Sequence, residues 1–374
     1  MKIGILTHQL YTNYGGILQN FALQKVLIRM GYDVKTIDYT KDLSVGVKLL
    51  SIAKRMYLHF FKKSSLPLRG WTTNKEDKII SQHTRNFVKE NISTTKSIPL
   101  SQIGCLKNDF DALVVGSDQV WRYLYLGSHI DKFYFSSFPN VPTKIAYAAS
   151  FGTDTWEMPV KITNSCKKLV REFKGVSVRE ETGIKLCQDY LNVDAVQVLD
   201  PTMLLTAEDY ISLVEKSKIS CHEGNLMTYI LDKTKEKKHI IEFVSRELSL
   251  TPIEVLPSKT FSEVGKKGLA QCIVPPIEKW IRGFMDADFV VTDSFHGTVF
   301  SLIFNKPFIA IVNKNRGADR FTSLLHLFDL EDRLVSDVES CKFILNSTID
   351  YNKVNNLISK LRTKSLIFIK ERLK

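Results

Sequence analysis

The sequence has no long apolar run: nowhere in its 374 residues does a stretch reach the ~18 consecutive apolar residues of a membrane span. The opening MKIGILTHQL passes from one lysine straight into a strand-like pattern, without an apolar region leading to a small-residue cleavage site. We therefore expect a cytoplasmic protein with no secretory leader. The six cysteines (Cys105, Cys166, Cys187, Cys221, Cys272 and Cys341) form no CxxC pair and no Cys/His cluster. That excludes a dithiol redox centre and a zinc ribbon, and predicts buried thiols and no metal site. Also missing are a GxGxxG fingerprint, a P-loop, a GxSxG elbow and an HExxH pair, which removes dinucleotide-dependent redox enzymes, P-loop kinases, serine hydrolases and zinc proteases of that type. No internal repeat or low-complexity tract is present.

What remains is an ordinary globular composition, 44% hydrophobic and 25% charged, in a chain too long for one small core. The formal charge of +12 would suggest nucleic acid if it were spread over a groove. It is concentrated instead: residues 41–69 hold seven Lys/Arg against one Asp, and residues 346–374 hold seven against two acids. With no interleaved aromatics and no helix-turn-helix, we expect no nucleic-acid partner. The segment Leu43–Lys63 mixes apolar residues with Lys48, Lys54, Arg55, Lys62 and Lys63. It reads either as a basic surface helix with one face on the core or as an interfacial helix at a membrane.

Periodicity predicts a βαβ start: strand Lys2–Thr7, polar loop His8–Gly16, helix Ile17–Met30 ended by Gly31, and strand Asp33–Tyr39. A helix is expected near Lys75–Glu90, then strands at Ala112–Val115, Lys144–Ala149, Gly175–Val178 and Ala195–Leu199, with a helix at Thr182–Tyr190 before the last. A second alternating series runs from Leu226 to Val312, and Tyr351–Lys374 reads as a terminal helix whose apolar stripe is interrupted at Ser365. The fold class is α/β, with two Rossmann-like lobes facing a central cleft. Residues 1–202 form the first lobe, 203–345 the second, and 346–374 the C-terminal helix.

In such lobes ligands meet the loops that follow strands. Four loops carry chemistry. In the first, Asn13, Tyr14, Gly15 and Gly16 stand before a helix, where exposed N–H groups approach a ligand, or where the glycines only make a tight turn. The second, Gly116–Trp121, sets Ser117, Asp118 and Gln119 beside Trp121, a pattern suited to a sugar ring unless the Trp is core. In the third, Arg179 ends a strand, placed to clamp a carboxylate or phosphate or to pair with Glu180 or Glu181. The fourth, Thr292-Asp293-Ser294-Phe295-His296-Gly297-Thr298, turns from strand to helix within a few residues and holds a histidine placed for acid–base work or for a structural role.

Five segments, Asn13–Leu23, Val114–Trp121, Ser177–Gly183, Leu199–Thr202 and Asp293–Gly297, together resemble the polysaccharide pyruvyl transferase family over nearly the whole chain. The resemblance implies a GT-B-like fold. It also implies transfer of a pyruvyl group from phosphoenolpyruvate to two hydroxyls of a sugar as a cyclic ketal, with no other cofactor. By the same resemblance His296 is the catalytic acid or base and Arg179 binds the donor. The donor end would include Ser294, Gly297, Thr298, Arg316 and Arg320; His8, Asn13, Tyr14, Gly15, Gly16, Ser117, Asp118, Gln119 and Trp121 would meet the acceptor. Family members often carry an arginine where this chain has Ser294. That departure keeps two rivals open, a nucleotide-sugar-dependent glycosyltransferase and a non-catalytic glycan-binding relative. The expected acceptor is a lipid-linked precursor of a cell-surface polysaccharide, with the protein at the inner face of the membrane and peripheral contact through segments 41–69 and 346–374.

Overall fold

In a computed structural model, residues 1–40, 45–62, 66–106, 109–135, 141–312 and 319–374 are described. Two parallel sheets organise them. The first contains β1 (Lys2–Leu6), β2 (Asp33–Thr36), β3 (Ala112–Val115), β4 (Thr143–Ala149), β5 (Gly175–Val178) and β6 (Val196–Gln197), in the order β2-β1-β3-β4-β5-β6. The second contains β7 (Leu226–Tyr229), β8 (Pro252–Glu254), β9 (Phe289–Thr292), β10 (Phe308–Ile311) and β11 (Leu334–Val335), in the order β8-β7-β9-β10-β11. Central strands such as Ala-Leu-Val-Val at β3 are buried along their whole length, as parallel strands covered on both faces must be. This is the expected α/β fold with two Rossmann-like lobes.

Each sheet reverses its strand order once, between β1 and β3 in the first and between β7 and β9 in the second. Loops leaving the carboxyl ends of those strands diverge, and the crevice between them is the ligand site of open parallel sheets.

Helix α1 (Tyr14–Arg29) joins the lobes. Asn13 caps it by accepting the Gly16 N–H at 3.2 Å. The Tyr14 hydroxyl donates to the carbonyls of Val255 (3.1 Å) and Pro275 (2.9 Å), both in the second lobe. One apolar cluster runs from Ile3 and Leu18 to Trp280 and Phe300, so the lobes share a core. With each buried Leu or Phe contributing roughly 1.5–3 kcal/mol, that shared core fixes the cleft's geometry.

Later helices include α2 (Val45–Lys62), α3 (Ala207–Ser217), α4 (Ile277–Asp286), α5 (Phe295–Ile303), α6 (Asp319–Leu327) and α7 (Tyr351–Arg372). The helix expected near 75–90 is two helices, Asn74–Ile80 and Gln82–Asn91. They part at Ser81, whose hydroxyl bonds the Asp77 carbonyl and competes with the backbone. Ser365 does not interrupt α7: its hydroxyl donates to the Leu361 carbonyl and accepts the Leu199 N–H, tying the helix to the first lobe. Arg362 adds bonds to the carbonyls of Met203 and Leu205, both at 2.9 Å. The apolar stripe of α7 is thereby spent on the core, with Val354, Ile358 and Ile369 buried. Cys221 is exposed, against the expectation of buried thiols, whereas Cys166, Cys187, Cys272 and Cys341 are buried as expected, and the side chain of Cys105 lies outside the described residues. Among the described residues no helix is long and apolar enough to cross a membrane.

Candidate active site

The two switch points face each other across a cleft of about 380 Å³. His8, Tyr11 and Asn13 come from the loop after β1, Asp118 and Gln119 from the loop after β3, Leu231 from that after β7, and Asp293 to His296 from that after β9. Arg320, from the first turn of α6, completes the second-lobe wall.

His296 lies in the first turn of α5, which Ser294 caps by accepting the Gly297 N–H at 3.5 Å. Its ring meets the first lobe at Gly15. A Cβ built there would sit 2.1 Å from His296 Nδ1, so only glycine lets the two helix ends approach this closely. The other ring nitrogen, Nε2, is buried and points at Asp200 Oδ2, 3.6 Å away. Asp200 therefore orients the imidazole from behind and leaves Nδ1 on the side of Gly15.

Asp200 opens the Asp-Pro-Thr turn, with Oδ1 accepting the Thr202 N–H (3.0 Å) and hydroxyl (2.7 Å). Its Oδ2 also accepts Arg179 Nη1 at 2.9 Å. Burial alone would raise this carboxyl, but His296, Arg179 and Thr202 together hold it well below the usual carboxylate range. The Arg179 guanidinium faces two further carboxylates, Glu180 at 3.3 Å and Asp118 at 3.5 Å, and lies 4.2 Å from the centre of the Phe295 ring. Burial opposes its charge, and the three acids overcome that and lift its pKa above the ordinary value. Asp118 is held at about 2, because Arg179, His8, His296 and Arg320 outweigh its burial. Glu180 is pushed upward by burial. Arg320 is drawn down to about 10, by burial first and then by Arg179. Arg179 and His296 thus converge, as the sequence suggested, but on a carboxylate of the chain itself.

A family model described as polysaccharide pyruvyl transferase matches residues 13–315. The chain belongs to that family. No curated protein matches the sequence. Solved structures similar to it include UDP-GlcNAc 2-epimerase from Neisseria meningitidis bound to UDP-GlcNAc, with 11% identity and a TM-score of 0.49 over 98% of this chain and 100% of that one. Another is a glycosyltransferase from Rickettsia africae, with 11% identity and a TM-score of 0.45 over 99% of this chain and 96% of the other.

Within this pyruvyl transferase family member, the cleft gathers seven of the residues singled out from sequence: His8, Asn13, Asp118, Gln119, Ser294, His296 and Arg320. Others sit behind it. Trp121, expected to present a face to a sugar, is 1% exposed and stacked on Phe135 at 5.0 Å, so it is core. Tyr14 spends its hydroxyl on the joint between lobes, Gly15 makes room for His296, and Gly16 serves the helix cap. Ser117 is buried and donates to the Ala148 carbonyl. Thr298 donates to the Ser294 carbonyl, and Gly297 packs so closely on Thr292 that a Cβ would lie 2.1 Å from its Oγ1. Arg179 does not line the cleft: the expected donor clamp is paired with Glu180 and two other acids instead. Arg316 lies outside the described residues.

Sequence reading missed Asp200 as a functional residue although its motif was noted, because only the fold brings the turn under His296. It also missed the aromatic wall. Tyr125 donates to Gln119 Oε1 at 2.7 Å and stands edge-on to His8, with ring centres 5.2 Å apart. Tyr39, at the end of the second expected strand, reaches His8 through Tyr134, each link being 3.3 Å. Tyr125 and Tyr134 follow no expected strand directly, and Tyr39, though it ends one, carries no charge or loop motif that would single it out.

Proposed function

We propose that the protein transfers the pyruvyl group of phosphoenolpyruvate to two hydroxyls of a sugar, forming a cyclic ketal. The observation that carries this reading is His296, held at a helix N-terminus on the cleft wall, backed by Asp200 and facing the first lobe's helix end at Gly15. Proton transfer is the recurring need of the reaction. A sugar hydroxyl adds to the central carbon of the enol and gives up its proton, while the methylene carbon takes one and becomes a methyl group. The bond to phosphate breaks, and a second hydroxyl closes the ring, its proton leaving with the phosphate. His296 Nδ1 takes and returns these protons, and Asp200 steadies the charge that each transfer places on the ring.

The donor carries a carboxylate and a phosphate. Arg320 and the two helix N-termini, at Asn13 and Ser294, are placed to hold them. Arg179 serves as a positioning residue that fixes Asp200 and Asp118. On the opposite wall Asp118, Gln119, Tyr125, Tyr11 and Tyr39 offer hydrogen bonds and ring faces to a sugar.

The test is a mass-resolved incubation with phosphoenolpyruvate and a panel of lipid-linked and free glycans. Wild-type protein should yield a pyruvylated glycan and phosphate, and His296→Ala, folded by circular dichroism, should yield neither. Retained transfer in that variant would remove the assignment. Thermal stabilisation by a nucleotide diphosphate sugar but not by phosphoenolpyruvate would move the protein to glycosyl transfer.

A further inference from the structure

The helix α2 is built inside out. Its exposed side chains include Leu49, Leu50, Met56, Tyr57, Phe60 and Phe61, with Leu50, Phe60 and Phe61 at 72%, 70% and 74% exposure. Together with Ala53 they recur at the spacing of a single helical face, the face that a soluble helix turns to its core. Tyr57 and Phe61 stack with ring centres 5.0 Å apart, making a continuous apolar ridge. On the inner side Arg55 donates to the carbonyls of Pro67 (2.7 Å) and Ser262 (3.0 Å), so the helix is pinned with its apolar face outward.

Charge selects the occupant. Residues 45–62 contain Lys48, Lys54, Arg55 and Lys62 and no acidic residue. A protein partner would be served by the apolar ridge alone. An acid-free helix with aromatic rings on one face and lysines beside it matches a bilayer surface, where rings enter the headgroup region and lysines meet anionic lipid. The helix also follows within a few residues of Tyr39, which lines the cleft.

We propose that α2 lies in the surface of an anionic membrane and seats the protein there with the cleft's Tyr39 side toward the lipid. Residues 41–44 and 63–65 of the basic segment 41–69 lie outside the described residues, and the proposal rests on α2 itself. Membrane seating does not depend on the reaction assigned to the cleft.

The experiment is flotation of the full chain with vesicles of phosphatidylcholine alone or mixed with phosphatidylglycerol, beside size-exclusion chromatography without lipid. Wild-type protein should float with the anionic vesicles and weakly with the neutral ones. Phe60→Ser/Phe61→Ser should lower the anionic partition by about tenfold or more, since burying even one such ring is worth that much. Lys54→Glu should lower it less. Melting temperature and the thermal shift given by phosphoenolpyruvate should stay at wild-type values in both variants, because these side chains face solvent. Absence of anionic binding, or binding untouched by the double substitution, would overturn the proposal. So would a lipid-free dimer that the double substitution converts to monomer, which would make the ridge a contact between copies.

Discussion

Replacing Gly15 by alanine adds one methyl group and tests the contact between the lobes directly. Gly15 sits in the first turn of α1 with an ordinary helical backbone, so alanine there costs nothing locally and would by itself stabilise by roughly 0.4–1 kcal/mol. The added Cβ, however, would lie 2.1 Å from His296 Nδ1, 2.3 Å from Cγ and 2.7 Å from Cε1, where ordinary contact begins at 3.4 Å. The imidazole must retreat by at least about 1 Å, and a misplacement of that size costs on the order of 100-fold in rate. Gly16→Ala is the matched control, because the nearest atoms to its Cβ would be those of the Asn13 side chain, at 3.2 Å from Nδ2, a contact that a shift of a few tenths of an ångström relieves. We expect Gly15→Ala to keep a melting temperature within a few degrees of wild type and to release phosphate from phosphoenolpyruvate, in the presence of acceptor, about 100-fold more slowly. Its KM for donor should change little, and Gly16→Ala should lose no more than a fewfold. Turnover of Gly15→Ala within about threefold of wild type would refute the placement of the reacting nitrogen beside α1.

Arg179→Met removes the cation from three buried carboxylates and should destabilise the protein by about 3–5 kcal/mol, read by urea unfolding; a loss under about 1 kcal/mol would mean the acids are neutral in the native state. Arg320→Gln should raise KM for phosphoenolpyruvate by about tenfold or more with little loss of stability, whereas an unchanged KM would take Arg320 out of donor binding. Acid unfolding should show Asp118: its folded pKa, about 2, lies below the unfolded value, so its contribution of about 2 kcal/mol is present above pH ~4 and vanishes as pH falls through 2. Asp118→Asn should flatten that limb, and an unaltered limb would contradict the pairing with Arg179. Trp121→Leu should cost about 2–4 kcal/mol in stability and leave acceptor KM unchanged, because the ring touches Phe135 and Phe151 and not the cleft; a specific rise in acceptor KM would restore it to the sugar site.

The strands and their order of appearance were legible because buried parallel strands are short apolar runs, as at Ala112–Val115 and Phe289–Thr292. Loops after those strands were legible as ligand loops for the same reason. Which way a side chain turns within such a loop was not. Trp121 and Asp118 are three residues apart, yet one enters the core against Phe135 while the other lines the cleft. Pairings across long stretches of chain were equally hidden: Asp200 acts on His296 through 96 residues of intervening separation that only the joining of two sheets closes. Arg179 was found as a residue but not as a role, since a guanidinium at a strand end looks the same whether its carboxylate is a ligand or Asp200.

The departure at Ser294 follows from the same geometry. An arginine at that position, which family members often carry, would bring a cation to the cleft but no acceptor for the Gly297 N–H. Ser294 supplies the acceptor and no charge. The positive field needed by the proposed donor, with its carboxylate and phosphate, then has to come from elsewhere in the wall. Neither α1 nor α5 has an acidic residue in its first turn, and their caps, Asn13 and Ser294, are neutral, so neither helix end is neutralised by its own chain. The cleft's own acids are engaged by internal cations, Asp118 by Arg179 and Asp293 by Lys237 at 2.6 Å. With those negative charges compensated, Arg320 and two opposed helix N-termini leave the cleft beside Gly15 and His296 favourable to an anion. The missing arginine is therefore compatible with phosphoenolpyruvate, and the KM of Arg320→Gln measures how much of the compensation that single side chain carries.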